Sequence, residues 1–220
     1  WFVCVSISDA VSAGDLIVSG QNRKQSFFEP NIGLLKMKMT RIEKRFVNRK
    51  KKSELNINKL EAALEHVNME NIKTVLELGC GIGFVSHYLA ETYNSKVYGT
   101  DYDDEQIQIA NKLQPKIDNL SFQVEDAAKL SFEDSSIDLV LSQNVFHHIP
   151  NWENAIKEIA RVLCSGGYFE WLDLTFPRIV KNIFLPFVKN YGLYTIDDIE
   201  KTCEVHKFRK LFHERMAHGP

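Results

Sequence analysis

From residue 72 to about residue 175, short apolar or β-branched runs alternate with amphipathic segments of helix length, and that alternation restricts the chain to a parallel α/β sheet. The runs predict strands at Thr74–Leu78, Lys96–Thr100, Leu120–Glu125, Ile137–Gln143 and Tyr168–Asp173. Between them the periodicity predicts helices at Gly83–Tyr93, Asp104–Lys112 and Asn154–Leu163, with a short turn after Asp126. Right-handed crossovers put all the strand C-termini on one edge, where an open α/β sheet binds its ligand. The residues at those ends are therefore the informative ones.

The first strand runs into Glu77-Leu78-Gly79-Cys80-Gly81-Ile82-Gly83, and a helix opens at once. Glycines there permit a tight turn, let a ligand approach the backbone and leave N–H groups facing it. The second strand ends at Asp101, a carboxylate placed to accept both hydroxyls of a ribose. The third ends at Asp126, placed to read a purine edge. A glycine-rich turn alone is weak evidence, but three acidic residues at successive strand ends are not what a plain strand-to-helix turn requires. Dinucleotide folds carry G-x-G-x-x-G with pyrophosphate at the helix N-terminus; here the spacing is G-x-G-x-G, and acidic Glu77 precedes it. Such a side chain repels pyrophosphate and suits a ligand with an ammonium group. S-adenosylmethionine, with an α-amino group, a ribose, an adenine and a sulfonium, is such a ligand.

Taken together, VLELGCGIG, YGTDYDDEQIQIA, VEDAAKLSFEDSSIDLVLSQNVFHHI and IKEIARVLCSGGYF resemble the class I S-adenosylmethionine-dependent methyltransferases over about Ile72 to Thr175. The resemblance implies a Rossmann-like fold, a mostly parallel central sheet with helices on both faces and a last antiparallel strand. It also implies a cofactor site. Glu77, Gly79, Cys80, Gly81 and Gly83 would form the loop around the methionine part, Asp101 would bind the ribose and Tyr102 would lie against the adenine. Asp126 and the Ala127 backbone would meet the adenine amino group, and Asn144 would face the methionine end. The sulfonium carries the activation itself, so the protein chiefly aligns an acceptor and excludes water, and the product is S-adenosylhomocysteine. A general base is needed only if the acceptor must lose a proton. His147 and His148, just beyond the fourth strand, are the candidates, although such residues often serve the family as structural parts of this loop. No third ligand stands at helical spacing from the pair, so no metal site is expected.

The fourth strand ends in SQNVFHHI rather than an Asn- or Asp-Pro-Pro-Tyr motif, which disfavours nucleobase and glutamine methylation and leaves a small-molecule acceptor, apolar or anionic. The aromatic stretch 176–194 lies where the family places a variable, lid-like segment. Phe184, Phe187, Tyr191 and Tyr194 are candidate walls for an apolar acceptor, and a helix packed on the sheet edge is the alternative. Residues 39–71 read as a helical cover, 72–220 as the cofactor-binding domain and 1–38 as an extension of uncertain status. At 220 residues the chain can bury a sizeable core without staples. A net charge of −2 offers nucleic acid no global polycation. The one basic run, within residues 36–59, is read as a solvated face, with an anionic substrate or a peripheral membrane contact as alternatives. No apolar run reaches the length that spans a bilayer. Four separated cysteines without a CxxC pair suit a reducing cytoplasm.

Toward the C-terminus, Thr195-Ile196-Asp197-Asp198 predicts a capped helix and Lys207–Met216 a strand. No residues then remain for the last antiparallel strand. Either the chain is truncated, the favoured expectation, leaving an exposed sheet edge, or part of residues 1–20, where FVCVSIS and DLIVSG are strand-like, takes the place. Three other functions stay open: a non-catalytic S-adenosylmethionine-binding partner subunit, an aminopropyltransferase on the same fold and, lowest, a nicotinamide dehydrogenase.

Overall fold

The computed structural model of the chain describes residues 2–7, 50–184 and 191–214. The alternating pattern folds into one seven-stranded sheet. Its strands are β1 (Phe2–Ile7), β2 (Thr74–Leu78), β3 (Lys96–Asp101), β4 (Leu120–Val124), β5 (Ile137–Gln143), β6 (Leu163–Leu172) and β7 (Phe208–Glu214). They lie in the order β4-β3-β2-β5-β6-β1-β7. From β4 across to β6 every pairing is parallel. The described helices are α1 (Lys50–Leu64), α2 (Phe84–Thr92), α3 (Asp104–Leu113), α4 (Trp152–Val162), α5 (Arg178–Phe184) and α6 (Ile196–Val205). The chain steps outward from β2 to β4, then returns to place β5 on the other side of β2. That reversal opens a crevice at the C-terminal ends of β2 and β5.

Period-two alternation splits the core into two layers. Val75, Leu139 and Leu141 face a cluster with Leu60 and Leu64 of α1 and Val85 and Leu89 of α2. Leu76, Leu78 and Val140 face the other side, against Trp152, Ile156 and Ile159 of α4. The stripe Trp152, Ala155, Ile156, Ile159 and Val162 is buried along one side of α4, the spacing of an amphipathic helix. At α6 the expected cap forms: Thr195 Oγ1 accepts the Asp198 N–H, and the Asp198 carboxylate accepts from Thr195 in return.

The last antiparallel strand is where sequence and structure part. β1 lies between β6 and β7 and runs antiparallel to both, pairing Val3 with Trp171 on one side and with His213 on the other. The place expected to stand open is thus filled by the FVCVSI segment, the second of the two readings. An antiparallel neighbour needs only an extended, alternating segment, and sequence distance does not restrict it. β6 begins at Leu163, directly out of α4, rather than at Tyr168. Ser165-Gly166-Gly167 has the composition of a turn, but Gly166 at φ +77° accompanies a register shift against β5, so the glycines make an irregular strand and not a loop. α1 begins at Lys50, within the stretch read as a helical cover. The expectations for 8–49, including most of the basic run and DLIVSG, lie outside the described residues, as do Phe187 and the Phe184 side chain. Among the described residues, no helix is long and apolar enough to cross a membrane, and no cluster of His, Cys, Asp or Glu could hold a metal ion.

Candidate functional site

The crevice holds a cavity of about 420 Å³, within the range of small-ligand sites. Its floor is the turn after β2. Gly79 sits at φ +69°, and a Cβ there would lie 2.2 Å from Val145 Cγ2, so this position admits only glycine. The turn is tied to the end of β3: the Cys80 N–H donates to the Thr100 carbonyl at 2.8 Å, and the Gly81 N–H donates to Asp101 Oδ2 at 3.0 Å. Asp101 Oδ1 accepts the Asp103 N–H at 2.8 Å, and Asp103 in turn caps α3 through the Glu105 N–H. The glycine turn and the two acidic residues therefore hold one another in place.

Glu77 is buried on the α1/α2 face and accepts a hydrogen bond from Ser86 of α2. Burial raises its carboxyl to about 7, the Ser86 bond opposes the rise and nearby Asp101 adds to it. Burial, with Glu77 and Asp101 beside it, also pushes the Cys80 thiol well up, so Cys80 lines the cavity as an inert group and not as a nucleophile. On the β4 side, Asp126 Oδ1 accepts the Ala128 N–H at 2.9 Å, fixing the 126–128 turn at the rim. Beyond β5, Asn144 adopts φ +60°, a left-handed conformation that Asn tolerates better than most residues. This bend turns the chain into the 3₁₀ turn Phe146–His148.

Of the expected cofactor residues, Glu77, Gly79, Cys80, Gly81, Asp101, Tyr102, Asp126, Ala127 and Asn144 all line the cavity. Gly83 does not. It starts α2 at φ +81°, and a Cβ there would meet the Phe122 ring at 2.4 Å, so it serves helix packing. The two histidines separate. His148 lines the cavity, whereas His147 turns away and places Nδ1 2.5 Å from Oδ1 of buried Asp173. Tyr194 is fully buried against Trp152 and Trp171 and is a core residue, not a pocket wall. Tyr191 is exposed, 6.1 Å from His148 between ring centroids.

Sequence reasoning missed Gln143, Asp103, Glu125 and, from the covering helix α1, Ser53 and Asn56. A polar residue ending the apolar run of β5 was the available signal for Gln143. Nothing in the sequence marks Ser53 or Asn56, because their place depends on how α1 docks. Five carboxyl groups line the cavity (Glu77, Asp101, Asp103, Glu125 and Asp126), and among the described lining residues there is no Lys or Arg. Such a donor set fits a cationic, phosphate-free nucleoside and rejects pyrophosphate. Together with the uncrowded glycine turn, it fits S-adenosylmethionine.

Residues 76–170 match the family model described as a methyltransferase domain. The 2-methyl-6-phytyl-1,4-hydroquinone methyltransferase of Synechocystis is 40% identical over 94 residues, covering 43% of this chain and 30% of that protein. Tocopherol O-methyltransferase of Arabidopsis thaliana is 39% identical over 101 residues, covering 44% and 29%. The chain thus spans less than a third of the length of these relatives. In fold it is similar to a Haemonchus contortus phosphoethanolamine N-methyltransferase solved with S-adenosyl-L-methionine, with a TM-score of 0.56, 21% identity and coverage of 74% of this chain and 43% of that one. The sheet order, the glycine turn and the family match agree: residues 76–170 are similar to a methyltransferase domain, and the fold is shared with a methyltransferase solved with S-adenosyl-L-methionine.

Proposed function

We propose that the protein transfers the methyl group of S-adenosylmethionine to a small, apolar acceptor. The observation that carries this reading is the cavity's charge: five carboxyl groups and, among the described lining residues, no Lys or Arg around a glycine turn, arranged for a cationic nucleoside. When bound, the cofactor supplies an electrophilic methyl on a sulfonium. Glu77 and the turn at Gly79 and Gly81 would hold its amino-acid end, Asp101 its ribose, and Asp126 with Tyr102 and Ala127 its base. α1 closes the cavity from above through Ser53 and Asn56 and excludes water. His148, on the wall beyond Asn144, is placed to take a proton from a hydroxyl acceptor, while His147, pinned by Asp173, holds the loop that carries it. An acidic cavity favours a neutral acceptor over an anionic one. Support for an apolar class comes from the phytyl-hydroquinone acted on by one relative and from exposed Leu174, Ile179 and Ile183 along and just before α5. A cytoplasmic setting agrees with the free thiols of Cys80, Cys164 and Cys203.

Calorimetric titration of S-adenosylhomocysteine tests the cofactor site. Micromolar binding is expected, weakened about 30-fold or more by Asp101→Ala, which removes a charged acceptor for two hydroxyls. Unchanged affinity in that variant refutes the ribose assignment. Methyl transfer to a phytyl-substituted hydroquinone, but not to a carboxylate acceptor, is the expected activity.

A further inference from the structure

Glu170 is fully buried in β6, yet it does not line the cavity and has no part in the cofactor reading above. The sheet register explains whom it serves. Glu77 pairs with Leu141 and Leu141 pairs with Glu170, so the two carboxyls lie in one row of the sheet, on one face. Gln143, two residues beyond Leu141, emerges on that same face one step nearer the cavity and lines it. Gln143 Nε2 donates to Glu170 Oε1 at 3.0 Å, while Gln143 Oε1 is buried without a partner. A buried amide with its N–H end bound and its oxygen unpaired costs free energy unless a ligand supplies a donor. The same face continues under α1, where Ala63 packs with Leu172, so water has little access to the pair.

From this geometry we infer that Glu170 is a positioning residue: it fixes the Gln143 amide so that its oxygen, with the Glu77 carboxyl, forms an acceptor pair for an aliphatic ammonium group, the amino-acid end of the cofactor. The inference rests on the cofactor reading and extends it to a residue outside the cavity wall. Glu170 touches no ligand itself. A carboxyl group or an amide at position 170 presents an oxygen to Gln143 Nε2, whereas an apolar side chain leaves the amide free to rotate.

The test compares two probes, S-adenosylhomocysteine and 5′-methylthioadenosine, which keeps the nucleoside but lacks the amino-acid end. Glu170→Leu and Gln143→Leu are each expected to weaken S-adenosylhomocysteine about tenfold and to leave methylthioadenosine within about twofold. Glu170→Gln should stay within about threefold of the parent for both probes. The double Leu variant should lose no more than either single one, because the two residues act as a unit. Gln143→Leu alone decides the matter if Glu170→Leu does not fold. Equal losses for both probes, or an undiminished affinity for S-adenosylhomocysteine, overturn the inference while leaving the cofactor reading intact. A parent chain that binds neither probe overturns both.

Discussion

A carboxyl group sealed beneath a helix keeps its proton until a cation arrives to replace it, and Glu77 is set at the pH where that exchange is measurable. With its carboxyl raised to about 7 by burial, Glu77 is largely neutral below that value. An ammonium group favours the ionised form, so binding must release a proton when it starts from the neutral one. The affinity for S-adenosylhomocysteine should therefore fall as pH drops below about 7, by up to about tenfold per unit, and level off above it. Glu77→Gln should bind more weakly at pH 8 and show a flatter profile; titrations between pH 5.5 and 8.5 read the slope, and an unaltered slope in the variant excludes Glu77 as the linked group. The sequence made most of this site legible, because Glu77, Asp101 and Asp126 end successive strands and strand ends converge by topology alone. It misled where one residue type serves two ends. Tyr194, in an aromatic stretch that reads as a lid, fills the core beside Trp152 and Trp171 instead. Composition cannot tell a wall of a pocket from a wall of the core.

At the scale of elements, β1 carries the clearest consequence. It is an inner strand of the sheet, hydrogen-bonded on both sides, so proline within it breaks a ladder and inserts a ring where the neighbour must lie. Val3→Pro should cost about 1 to 3 kcal/mol for the ladder group left unpaired, lowering the melting temperature by roughly 2 to 12 °C. It should also free the facing edges of β6 and β7 for self-association, visible as oligomers in size-exclusion chromatography. Val3→Thr, a good strand former, should do neither. A proline variant with the parent's melting temperature would mean that β1 does not hold the sheet together. The helices and parallel strands could be read from periodicity, since each is fixed by its own pattern and by its neighbour in sequence. The pairing of β1 could not, because alternation says that a segment is a strand without saying which edge it will meet. The start of β6 shows the same limit, as the strand expected from Tyr168 begins at Leu163 and carries Gly166 and Gly167 as an irregularity inside it.

For the molecule as a whole, two buried carboxyl groups set how stability varies with pH. Burial raises Glu77 to about 7 and Glu170 to about 8, both from 4.5. The folded state thus binds more protons than the unfolded state between those limits. The stability tied to these groups is complete below about 4.5 and is lost as pH rises through 7 and 8. Asp138, Glu158 and Asp198 act oppositely: burial opposes ionisation at Asp138 and Asp198 but is outweighed by hydrogen bonds from Lys73 and Thr74 at the first and from Lys181 and Thr195 at the second, while Arg161 lowers Glu158. Their contribution is lost as pH falls below about 4. The fold should be most stable at mildly acid pH. Glu170→Gln should flatten the decline in melting temperature between pH 5 and 8.5 measured by scanning calorimetry, and an unflattened decline would assign it to other groups.

The position of β1 also has a bearing on synthesis. On the ribosome this strand emerges before all the other described elements, but its two neighbours begin only at Leu163 and Phe208. At ordinary translation speeds of about 5 to 20 residues per second, it waits roughly 8 to 30 s for the first of them. During that interval the nascent chain exposes an apolar, alternating segment with no partner of its own, while the parallel strands behind it assemble. Among the described strands, the earliest in the chain is thus one whose pairing waits for the two latest, so masking this segment by a folding helper is expected to raise the yield of folded protein.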